Sequence, residues 1–263
     1  MNDPHTNAPR ARHDRPTTRR ALGAALGAAL ATTALPAQAG DDLSGRWVMV
    51  QLTTTVATVP VVGEIRARTA LVAIHDLVQS GDRLRGKGRL CKLDLDSGTT
   101  MVSTTLPDAF KRSLPAPYID AVVRAGDDGV LRFAQPRQTL VVGALLESPG
   151  DALPTGLGDG RLHDQDRDGK PGVTVRVSGL VEGELYVAQR TWTELAGARQ
   201  DDGSFAGRVA FDNEQVLLDT DNEWLRSTPA QRSDASASWF RLVRVADGAK
   251  CGTARRVAAA WLP

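Results

Sequence analysis

The chain has 263 residues with 32 basic and 31 acidic side chains, a formal net charge of +1. Mixed charge close to neutrality offers no electrostatic footprint for nucleic acid and no polybasic patch for a membrane surface. No segment approaches the ~20 consecutive apolar residues of a stable bilayer span.

Residues 1–20 are polar and basic and close on Thr18-Arg19-Arg20-Ala21-Leu22. An uncharged stretch rich in Ala, Gly and Leu follows from Ala21 to Leu35, and Ala37-Gln38-Ala39 offers small residues for cleavage. This order is that of an export signal. The arginine pair before a weakly hydrophobic stretch resembles a twin-arginine signal, and an ordinary secretory signal with an incidental Arg pair is the alternative. Cleavage after Ala39 leaves 224 residues, 40–263, with 27 basic and 29 acidic side chains. That length suffices for one domain with a substantial core, placed in the periplasm or outside the cell.

Period-2 alternation dominates the rest, and long 3.6-period stripes are missing. In chain order, strands are expected at 46–55, 64–76, 83–94, 99–106, 130–133, 138–146, 173–181, 184–195, 204–211, 215–219 and 238–245. Turn signals punctuate them at Ser80-Gly81, Asp127-Asp128-Gly129, Asp202-Gly203 and Asp247-Gly248. Residues 107–114 suit one or two helical turns, ended by Pro115 and Pro117. Residues 118–124 read as either a short helix or a strand. The expected fold is all-β, an antiparallel meander of about 8–10 strands closing into a barrel or a sandwich.

A connection rich in Gly, Pro and Asp runs from Glu147 to Gly172, and loops of that length in a compact domain are commonly functional or disordered. It carries Asp164-Gln165-Asp166-Arg167-Asp168-Gly169. Carboxylates at alternate positions followed by glycine turn oxygen ligands inward, and the bend exposes the next carbonyl, that of Lys170. The segment resembles the first half of an EF-hand loop and the Asp-rich loops of dockerins and thrombospondin type 3 repeats. The resemblance implies calcium held by Asp164, Asp166, Asp168 and Lys170. Pro171 and Val175 depart from the second half of an EF-hand, so Asp159, Glu182 or Glu184 are the nearest candidates for a missing carboxylate.

Two cysteines, Cys91 and Cys251, both follow the export signal, which reads as a disulfide. Gly45-Arg46-Trp47 opens the expected first strand and Trp239-Phe240-Arg241-Leu242-Val243-Arg244 forms the last. A Gly-x-Trp at this place resembles the lipocalins, although the Thr-Asp-Tyr of that family is absent. The resemblance implies that Trp47 plugs one end of an eight-stranded barrel beneath Arg241 or Arg244, and a C-terminal cysteine bridged to an earlier strand fits it too.

Catalytic patterns are scarce. His75 alternates onto the apolar face of its strand, and His163 abuts the Asp loop as a bystander or an outer support of the site. Glu182 and Glu184 share a face at period two, a spacing that suits glycosidase-type chemistry or a solvated surface. These features favour a non-enzymatic exported protein, calcium-stabilised, that binds a small apolar ligand or a protein partner. A β-sandwich hydrolase using paired carboxylates and a structural or adhesive surface module are the alternatives.

Overall fold

The computed structural model describes residues 42–59, 63–227 and 230–262. The expected export signal lies outside them. Among the described residues there are eleven strands, all paired antiparallel in one sheet. They are β1 (Gly45–Val59), β2 (Gly63–Ser80), β3 (Arg83–Asp96), β4 (Val102–Thr105), β5 (Tyr118–Ala125), β6 (Leu131–Val142), β7 (Val173–Gly179), β8 (Gly183–Arg199), β9 (Phe205–Thr220), β10 (Gln231–Ser233) and β11 (Trp239–Val245). Two α-helices accompany them, α1 (Asp108–Ser113) and α2 (Cys251–Ala258).

Eight strands close a ring in chain order, β1-β2-β3-β5-β6-β8-β9-β11, with β11 returning to β1. The expected all-β meander is what forms; β7 and β10 are side strands paired to its members β8 and β1, and β4 pairs with β7. Alternation explains the closure. One cluster of buried residues draws side chains from every strand of the ring: Trp47, Leu77, Leu84, Ile119, Phe133, Leu195, Phe205 and Phe240 belong to it. Three aromatic contacts at 5.4–6.0 Å between ring centres join Trp47, Phe205, Phe133 and Phe240. These residues leave water together only if the sheet wraps around them, so the buried face becomes the interior.

Two differences from the expected strands share a cause. The segments at 130–133 and 138–146 merge into β6, whose register slips between Gln135 and Gln138 where Pro136 has no N–H for the ladder. Those at 204–211 and 215–219 merge into β9, because the long β8 pairs with it from Leu185 to Arg199. Residues 118–124 are strand, and Ile119, Ala121 and Val123 point into the core.

The outer face of β1 and β2 is apolar as well, and α2 covers it. Val48, Val50, Val72 and Ile74 pack against Ala254 and Ala258, with Cys91 and Trp261 at the margin. Alternation does not announce this helix, because it is eight residues long and basic at its end. The Cys91–Cys251 disulfide ties its first residue to β3, across a separation of 160 residues. Among the described residues no helix is long and apolar enough to cross a membrane.

Candidate metal centre

The connection between β6 and β7 is anchored to the ring at both ends. Gly143 N–H donates to Gln165 Oε1 at 2.9 Å, and His163 N–H donates to the Gly143 carbonyl at 3.1 Å. Leu145 N–H donates to Arg161 O, and Gln165 N–H donates to Gly172 O. At the base Gly172 has φ +80°, and a Cβ there would lie 2.4 Å from the Val187 carbonyl oxygen. Only glycine lets the loop sit this close to β8. The seat is a bulge, since β8 and β9 slip register between Tyr186 and Val187.

On this base the chain turns Asp164, Asp166 and Asp168 toward one another. One oxygen from each lies within 4.8 Å of the others, a group that can hold a metal ion. Backbone geometry forces the convergence: Arg167 has φ 60° and Gly169 has φ +83°. Asp164 accepts from the N–H groups of Asp168 and Gly169 at 3.2 and 3.0 Å. Asp168 Oδ1 accepts from Lys170 N–H at 2.9 Å, while the Thr174 hydroxyl donates to its Oδ2 at 2.5 Å.

Asp166 differs from its neighbours. It is 6% exposed, its Oδ2 accepts from Thr174 N–H at 3.2 Å, and its Oδ1 has no hydrogen-bond partner. Burial raises its pKa, and the charges of Asp168 and Asp164 push the same way, against the Thr174 N–H. An unpaired buried carboxylate oxygen is costly, and a cation among the three carboxylates would remove the cost. Oxygen donors alone select a hard cation such as calcium or magnesium.

The other expected ligands fall differently. Lys170 points its ammonium to within 5.3 Å of the Tyr186 ring, which leaves only its carbonyl to a cation. Asp159 is not in the triad. Its carboxylate is clasped by Arg161 at 2.6–3.0 Å, which holds its pKa down at about 2. Glu184 accepts from Arg176 and from the Tyr186 hydroxyl, and exposed Glu182 lies in the turn before β8. Glu182 lies outside β8, so the two glutamates share no strand face. Thr174, which holds both Asp166 and Asp168, was not anticipated. Its role depends on β7 folding back beside the loop, and no local pattern signals that.

The Gly-x-Trp motif stands at the start of β1. Trp47 lies opposite Arg244 in the β1–β11 register, and the Arg244 guanidinium sits 5.8 Å from the Trp47 ring centre. It also donates to the carbonyls of Asp42 and Ser44 at 3.0 and 2.7 Å. Gly45 has φ +134°, and a Cβ there would approach Arg244 Nη2 to 3.2 Å. Arg241 is corrected. It is three residues away on a strand and so faces outward, where it lies 5.0 Å from the Trp261 ring. His75 is interior, facing Trp47 across β1 and Gly88 across β3, and its Nδ1 has no partner.

A closed ring of eight antiparallel strands with an acidic loop on one edge thus defines the molecule as an all-β protein with a candidate metal centre. No family model matches the chain, and no curated protein or solved structure matches it either.

Proposed function

We propose that this protein is an exported, calcium-stabilised binding protein rather than an enzyme. The observation that carries this reading is the buried, unpartnered Oδ1 of Asp166 beside the carboxylates of Asp164 and Asp168. Calcium would take one oxygen from each aspartate and the carbonyl of Lys170. With four protein ligands and no bidentate Glu, affinity belongs in the range of about 10⁻⁴–10⁻³ M typical of extracellular modules. Calorimetric titration of the purified protein with calcium, beside melting curves in calcium and in chelator, tests it. Calcium should raise the melting temperature by mass action, and Asp164→Ala and Asp166→Ala should abolish the rise. No heat at millimolar calcium, with a melting temperature indifferent to chelator, would reduce the loop to an acidic turn.

Export rests on the order of residues 1–39 and is supported by the Cys91–Cys251 disulfide, since such bonds persist in oxidising compartments. The mature chain would begin at Gly40. The lipocalin-like reading is supported by the placement of Trp47 under Arg244 and by the disulfide near the C-terminus. On that reading the aromatic cluster of Trp47, Phe133, Phe205 and Phe240 fills one end of the ring, and a small apolar ligand would have to enter from the opposite end.

A further inference from the structure

A cleft of about 670 Å³ opens beside the acidic loop, between it and α1. Val141 and Ala144 contribute apolar surface to it, while Arg112, His163, Asp166 and Arg167 contribute polar groups. Arg112 comes from α1, and His163 and Arg167 from the loop that holds the triad. All three side chains are exposed, and none has an ion-pair or side-chain hydrogen-bond partner among the described residues. Asp166 belongs to both the triad and the cleft wall, and it is the residue whose buried oxygen is unpartnered.

We propose that this cleft binds a small organic carboxylate, and that it does so only when calcium occupies the triad. The inference rests on the calcium reading above and names the ligand class of the same site. Charge decides the dependence. Without a cation, the three carboxylates of the triad outweigh the two guanidinium groups of the cleft, and the sum of minus one over these five groups disfavours an anion. A bound divalent cation reverses that sign to plus one. Calcium takes six to eight oxygens, so four protein ligands leave at least two positions for a ligand carboxylate or water. Arg112 and Arg167 can donate to a carboxylate as charged donors, and the apolar surface suits its organic part. A bound carboxylate would complete the coordination shell, so ligand and calcium should each tighten the other's binding.

Benzoate is a suitable probe, with uncharged benzamide of the same shape as control. Saturation-transfer NMR on the purified protein should detect benzoate in millimolar calcium and not in chelator, and should detect no benzamide in either. Arg112→Ala with Arg167→Ala should weaken benzoate binding by about tenfold or more, as expected for loss of charge-assisted hydrogen bonds. Calcium affinity measured calorimetrically without benzoate should change little in Arg112→Ala alone, because Arg112 lies on α1 and outside the loop that turns the aspartates together. If calcium binds and benzoate does not, the inference fails and the calcium reading stands. Benzoate binding that is equal in chelator, or unaltered in the double variant, would also overturn it. Absence of calcium binding to the unliganded protein overturns both.

Discussion

His75 lies so close over Gly88 that a Cβ on the glycine would fall 2.5 Å from the imidazole Nδ1. The imidazole is 2% exposed, and burial lowers its pKa from 6.5 to about 4, against the opposing pull of Asp76. The folded state therefore holds His75 neutral where the unfolded chain would bind a proton. Stability from this group is complete above pH 6.5 and is lost as pH falls toward 4, by about 3 kcal/mol in all. Urea unfolding across that window should show the loss, and His75→Gln should flatten the curve there. An unchanged slope in the variant would mean that another group titrates.

The glycines of the loop should separate strain from collision. Gly169 has φ +83° and open space within 4 Å of where a Cβ would stand, so Gly169→Val should cost about 1–2 kcal/mol through backbone strain alone. Gly172→Ala adds a clash with the Val187 carbonyl to a similar φ and should cost about 3 kcal/mol or more. Denaturant midpoints decide the order. Equal costs would show that the loop lifts off β8 without penalty.

Reduction of Cys91–Cys251 opens the longest covalent loop in the chain. The double variant Cys91→Ala with Cys251→Ala should be less stable by about 2–5 kcal/mol. Residues 251–258 should then exchange their amide hydrogens faster than β1 and β2, because α2 loses its anchor while the outer sheet face stays apolar. Exchange of the helix unaltered by reduction would place its stability in packing alone.

The two arginines of β11 should report on different tryptophans. Arg244→Ala should shift the indole N–H resonance of Trp47, whose Nε1 donates to Leu43 O at 2.8 Å, and cost about 1 kcal/mol. Arg241→Ala should leave Trp47 in place and shift Trp261 instead. The reverse pattern would require β11 to be turned over.

Export is tested on the precursor. Mass spectrometry of the exported protein should find Gly40 at its N-terminus, and replacing Arg19 and Arg20 by Lys should block export. Full export of the Lys pair would replace the twin-arginine route with an ordinary secretory one.

The residues themselves determined the all-β class, most strand positions, the aspartate loop and the candidate cysteine pair. Alternation, turn residues and motif spacing are local properties and survive in a linear reading. The tertiary structure decided what depends on partners distant in the chain. Period two places Arg241 and Arg244 on opposite faces of β11, but only the closed ring shows that the Arg244 face is the inner one. The gap expected between the strands at 130–133 and 138–146 became a bulge within β6, because β8 pairs with β6 on both sides of it. Asp159 and Glu184 looked available in the chain, and in the fold each is held by an arginine, Arg161 and Arg176. Asp166 lost its hydration only when β7 and the loop base closed over it, since burial is a property of the packed chain and not of any segment.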